Sequence, residues 1–231
     1  MKKIRTALAL GALVTAASLA AGAQNTRPGV AVLPFENGGS YGKDKEDFEA
    51  LRRGIAGMLI YELGQNPAVR LVDRSETQRL LDEQGLAVAE RVDRETAARI
   101  GKLVGARYMI AGSFIDLYGD FRVDARIIDV ETGEIIKVVR SDTKYHDRKD
   151  MARMIQSVGE RIMAETKLPP LHAGSAQRPA VPTEALAFFS RALLYHDRGD
   201  KAKATEYYQK ALDVFPSYAA ATEGLRKARG S

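Results

Sequence analysis

The sequence predicts an α/β domain of element order βαβααβββα, a mixed sheet with helices packed on it, followed by an all-α helical hairpin. Three observations lead there. A continuous apolar run, GVAVLPF at Gly29 to Phe35, is followed directly by residues with helical periodicity. Three strand-like segments joined by tight turns fill most of the stretch from Arg107 to Tyr145. Beyond residue 182 the strand alternation is gone, and small and aromatic residues recur at helical spacing.

The GVAVLPF run has the length and continuity of a strand buried on both faces, and it opens into the polar loop ENGGSYGKDKED. From Phe48 onward Leu51, Ile55, Met58, Leu59 and Leu63 fall at helical spacing, with Arg52, Arg53 and Glu62 elsewhere on the wheel. Asn66-Pro67 stops this helix, and Ala68 to Val72 reads as a second strand. Ser75-Glu76-Thr77-Gln78 has capping-box spacing, so a short helix through Leu80 and Leu81 is expected to begin there. Asp93 is placed to cap the next helix, whose stripe is Ala97, Ile100, Leu103 and Val104, and Gly105 supplies the left-handed residue that ends it. Gly101 inside that helix costs about 1 kcal/mol against Ala, which predicts close approach of a neighbouring element.

The three strands are expected at Arg107 to Tyr118, Phe121 to Val130 and Glu134 to Tyr145, with turns at Gly119-Asp120 and Glu131-Thr132-Gly133. Phe121, Val123, Ala125 and Ile127 alternate with Arg122, Asp124 and Arg126, so one face is buried and the other wet. A helix from Arg148 to about Lys167 places Met151, Met154, Ile155, Val158 and Ile162 on one side to cover that apolar face. The α/β domain therefore spans 24–167. Residues 168–182 hold four of the eight prolines without periodicity and read as an extended linker.

Counting from Ala185, the residues Phe188, Ala192, Tyr195, Ala204, Tyr208, Ala211 and Pro216 fall where a 34-residue tetratricopeptide (TPR) pattern places aromatic, small and proline residues. Gly199 sits at the turn between the helices, and Arg191 departs from the usual Leu. The unit spans 183–229, a hairpin plus a capping helix. Its inner face should present Leu186, Phe189, Leu193 and His196. Fully burying an apolar side chain is worth about 1.5–3 kcal/mol, so this face is expected to pack on something: the protein's own α/β domain, a second copy or a partner.

The N-terminus carries Lys2, Lys3 and Arg5, an apolar run of 16 residues from Thr6 to Ala21, and small residues Ala21 and Ala23 before polar Gln24. That is the layout of a secretory signal peptide covering residues 1–23, too short for a span of about 20 strongly apolar residues. Three of the five net positive charges lie in it, leaving +2 on the mature chain, where acids and bases interleave. No nucleic-acid partner is expected from such a balance. Without cysteine there are no disulfides, no thiolate metal sites and no cysteine to carry a lipid.

His146, His172 and His196 lack metal-ligand spacing and read as solvent-exposed. Acid pairs such as Asp44/Glu46/Asp47 and Asp82/Glu83 read as solvated loop and helix-end charges. No GxSxG, phosphate loop or GxGxxG occurs, so no catalytic residue, cofactor or metal is expected, and no enzyme. Gly101 and Gly105 form GxxxG, but Arg99, Lys102 and Arg107 rule out a membrane dimer motif.

Four segments in order, VAVLPFEN (30–37), GMLIYELGQNPAVRLVDRSETQRLLDEQGL (57–86), IGKLVGARYMIAGSF (100–114) and VDARIIDVETGEII (123–136), resemble the CsgG and TolB N-terminal family of envelope proteins over residues 29–165. The resemblance implies a periplasmic, non-catalytic domain of the curli assembly and transport type that oligomerises or docks on envelope proteins, at most peripheral to the outer membrane. It also admits a regulator of an envelope enzyme or structure, resembling LpoB or FlgO. A pore of the CsgG kind needs inserted hairpins with strands of about 9–11 residues each, and the joins at Gly119-Asp120 and His146-Asp147 leave no room for them. Export should leave a chain beginning at Gln24, which intact mass spectrometry of the periplasmic fraction checks; a chain retaining Met1 contradicts the reading.

Overall fold

The computed structural model describes residues 27–39, 45–86, 92–144, 146–166, 168 and 179–230. The signal-peptide residues, Ala21 and Ala23 included, lie outside them, as do His172 and residues 169–178 of the expected linker. The elements are β1 (Gly29–Val32), β2 (Glu36–Asn37), α1 (Lys45–Gly64), β3 (Arg70–Leu71), α2 (Arg74–Glu83), α3 (Arg94–Leu103), β4 (Tyr108–Leu117), β5 (Asp120–Asp129), β6 (Ile135–Arg140), α4 (Met151–Glu165), α5 (Thr183–Asp197), α6 (Lys201–Val214) and α7 (Ala219–Arg229). The expected α/β order holds, with β2 added by the first residues of the polar loop.

The sheet order is β3-β1-β4-β5-β6, and β2 pairs with β4. β1 runs parallel to β3 and β4, whereas β4, β5 and β6 form an antiparallel meander. One face carries Val30, Val32, Ile110, Phe114, Phe121, Val123, Ala125 and Ile127 against α1 and α4. The other carries Ala31, Leu33, Met109, Ala111 and Ile128 against Leu81 of α2 and Ala97 and Ile100 of α3. That second cover stops over β4 and the end of β5, so Leu117, Ile136 and Val138 stay exposed.

Local chemistry explains where boundaries moved. The capping box at Ser75 does not form; the Asp73 carboxylate accepts from the Ser75 amide at 2.8 Å and starts α2 earlier, a charged acceptor suiting a helix N-terminus. Gln78 instead donates to Asp82 at 2.9 Å. Asp93 does cap α3, accepting from the Thr96 amide at 2.9 Å, and Gly105 follows with φ of 63°. A Cβ on Gly101 would lie 2.6 Å from Val130, the close approach its presence in a helix predicts. The β4–β5 turn falls one residue earlier than expected, because Leu117 pairs with Asp120 and leaves Tyr118 and Gly119 as the loop, with φ of 57° and 95°. β6 ends at Arg140, short of Tyr145, where Asp142 accepts from the Lys144 amide at 3.1 Å and turns the chain; Tyr145 itself lies outside the described residues.

Candidate interaction site

α1 carries 20 residues, and more than its expected stripe is buried. Arg52, Arg53 and Glu62, read from the sequence as lying off the core face, are each less than 10% exposed. Arg52 donates to the Phe35 carbonyl at 3.1 Å, Glu62 lies near Gly159 of α4, and Arg53 is covered by α5, which lies along the side of α1 turned away from the sheet. Two glycines one helical turn apart make that approach: a Cβ on Gly54 would collide with Ser190, and one on Gly57 would sit 2.7 Å from Leu193 and 3.1 Å from Phe189. Ser190 satisfies its own hydroxyl by donating to the Leu186 carbonyl at 2.7 Å, so no polar group is stranded at the contact.

The inner face of the hairpin is therefore occupied. Leu186, Phe189 and Leu193 are at most 6% exposed and belong to the same core as Ile55, Met58 and Leu59. Of the occupants the sequence allowed, the structure supplies the protein's own α/β unit, so these residues form no open partner face. His196 departs from its solvated reading as well: it is half-buried, and its Nδ1 is enclosed without a hydrogen-bond partner. Burial and the neighbouring Arg74 cation lower its pKa, which keeps the ring neutral. His146 is exposed as expected.

The TPR positions pack as their sizes require. Ala192, Ala204 and Ala211 are fully buried where α5 and α6 meet, and Gly199 takes φ of 76° at the turn. Tyr195 stacks on Tyr207 at 5.4 Å, Phe188 tilts against Tyr207, and Tyr208 packs on Phe189 at 6.1 Å. Pro216 follows α6 and precedes α7. The irregular Arg191 has a local purpose: its Nε donates to Asp47 in the first turn of α1 at 2.7 Å. Glu46 accepts from the Tyr195 hydroxyl at 2.9 Å. These acids, read as solvated charges, fasten α5 to α1.

The centre of the contact is ionic and missed by sequence reasoning. The Asp197 carboxylate, 7% exposed, accepts from Arg53 Nε at 2.9 Å and takes a two-pronged grip from Arg74 at 2.8 and 2.7 Å. Arg53 also meets Glu49 at 2.5 Å, and Glu49 meets Arg52 at 3.0 Å. Burial works against the charge on Arg74, but Asp197 outweighs it and raises the guanidinium pKa. Three helices, α1, α2 and α5, thus share one carboxylate. Among the described residues no group of histidines and acids could hold a metal, and no helix is long and apolar enough to cross a membrane.

The family model of the curli production assembly/transport component CsgG matches residues 14–120, and that of the tetratricopeptide repeat matches residues 185–218. The first match falls in the α/β part and the second on the α5–α6 hairpin. No curated protein sequence matches it. Among solved structures it is similar to the LpoB C-terminal domain from Escherichia coli, at 23% identity and TM-score 0.34 over 49% of this chain and 80% of that one. It is also similar to the PelC dodecamer from Paraburkholderia phytofirmans, at 15% identity and TM-score 0.37 over 62% and 90%. TolB from Acinetobacter baumannii is matched at 12% identity and TM-score 0.35, over 61% of this chain and 27% of that one. A CsgG-type domain with a TPR motif supports a protein-interaction role in the cell envelope.

Asp197→Asn takes from the buried Arg74 guanidinium its paired carboxylate and leaves Arg53 with Glu49 alone, so urea unfolding should show a loss of about 3–5 kcal/mol. Replacing Arg53, Arg74 and Asp197 together with Met, Met and Leu should recover most of it. A single substitution costing under about 1 kcal/mol contradicts the role given to this carboxylate.

Proposed function

We propose that the chain is a non-enzymatic component of envelope assembly or transport, resembling the curli secretion type, which works in the periplasm by self-association and docking to envelope proteins. In this reading residues 1–23 are removed on export, 24–167 form the associating domain, 168–182 connect it, and 183–229 form a TPR buttress. It needs no pore of its own, since the β4–β5 hairpin closes over two residues.

The observation that carries the reading is where the exposed apolar side chains lie. Apart from Leu103 at the end of α3, the exposed large apolar side chains among the described residues are on the sheet: Ile135, Ile136 and Val138 on β6, between 40% and 48% exposed, and Leu117 and Tyr118 at the β4–β5 turn. β6 is also its edge strand. The Ser141 amide donates to the Val123 carbonyl at 2.8 Å, so by ladder alternation Val139 faces β5 and Val138 turns its amide outward.

The occupant is a second copy. Two β6 strands aligned antiparallel about Lys137 would set Ile136 opposite Val138 twice. The two central Lys137 side chains each have a counter-charge in their own Glu165, 3.3 Å away. Lys137 and Arg161, which donates to the Arg140 carbonyl at 3.0 Å, discourage other registers and other strands.

Light scattering on a sizing column should find the purified chain as an oligomer. Val138→Pro, which removes an outward amide and leaves the β5 ladder whole, should give a monomer with little change in melting temperature. A wild-type chain that stays monomeric at high concentration contradicts self-association and favours the regulator of the LpoB or FlgO kind.

A further inference from the structure

A cavity of about 570 Å³ lies where α1, α2, α5, α6 and α7 meet, within the size range of small-molecule sites. Ile60, Leu71, Phe189 and Leu193 give it apolar walls, and Ala220 and Gly224 of α7 leave its outer side nearly bare of side chain. Its charged groups are already matched. Arg74 is held by Asp197, Asp73 by Lys227 at 2.8 Å, and Glu223 by Arg226 at 2.7 Å. Nothing in the wall therefore asks for a cation or an anion.

One neutral polar group in the same wall is uncommitted and within reach of a ligand. The Tyr208 side chain is buried, and its hydroxyl has no hydrogen-bond partner among the described residues. Burial pushes that phenol up to about 12, so it is a protonated donor at neutral pH. His196 lines the cavity too, but its Nδ1 is enclosed out of reach of the cavity space, so it offers a ligand no bond. The Tyr208 hydroxyl is open to the cavity, so a ligand carbonyl can take the place of water on it while the apolar walls gain from being covered.

We infer that this cavity binds an uncharged, largely apolar small molecule whose carbonyl oxygen accepts a hydrogen bond from Tyr208. The inference is independent of the assembly reading, because it uses the joint between the hairpin and the α/β unit and none of the open sheet. It also gives the TPR motif a role beyond covering α1, since three of the five walls come from α5, α6 and α7.

Nile red, a neutral dye with one carbonyl, is a suitable probe. Titration into the purified chain should give a saturable, one-site fluorescence increase. Ala220→Phe, which fills the cavity from its half-buried rim, should abolish the increase while the melting temperature holds. Tyr208→Phe keeps the shape and removes the donor, and should weaken binding about three- to tenfold. Non-saturable binding, or equal affinity in the wild type and both variants, overturns the assignment. Should Ala220→Phe fail to fold, the Tyr208→Phe affinity decides alone: a drop supports the site and no change overturns it.

Discussion

The structure depends on α1 being covered from two sides. Its Ile55, Leu59 and Leu63 side chains are fully buried, and Arg53, Gly54 and Gly57 on the side away from the sheet are buried as well. A helix of this kind cannot finish an α/β layer by itself, because its outer surface combines apolar groups with cations that need a specific acceptor. α5 meets both needs at once. Phe189 and Leu193 fill the notch that Gly57 leaves, and Asp197 supplies the carboxylate that Arg53 and Arg74 share.

This constraint redistributes function. A TPR hairpin is usually considered for what its inner face can hold, and here that face is spent inside the molecule. What remains for contact is the open end of the sheet, where α2 and α3 stop short of β6, and the cavity at the joint of the helices. The hairpin and the α/β unit also share one apolar core running from Val30 and Phe121 to Tyr218 and Leu225. The ion pairs around its rim, Arg191 to Asp47 and Lys227 to Asp73, tie the middle of α5 to the start of α1 and the end of α7 to the start of α2.

Elements governed by local rules were legible in the sequence. The meander followed from alternation and turn residues, α3 from its Asp93 cap and Gly105, and the α5–α6 pairing from small residues at repeat spacing. The start of α2 was misread because Asp73 and Ser75 are both good caps, and sequence does not rank a charged acceptor two residues upstream. For the docking of α5, the apolar face of Leu186, Phe189 and Leu193 was legible as needing cover, with the α/β domain one of three occupants. The ionic centre was not: Arg53, Arg74 and Asp197 are far apart in the chain, and each alone looks like a solvated charge. A signal was present, however. Gly54 and Gly57 in mid-helix each carry the cost that correctly flagged Gly101 as a site of close approach, and the same inference at these two positions points to a second helix on α1.

Native-state hydrogen exchange on the intact chain tests most directly whether α1 and α5 form one cooperative unit. Shared burial and a shared carboxylate predict that the slowest amides of α1, α5 and α6 exchange with the same opening free energy and the same denaturant dependence. Exchange of α5 to α7 through a separate opening, well below the free energy that protects α1 and β4, would show the hairpin to be a detachable appendage and contradict the dependence of α1 on its outer cover.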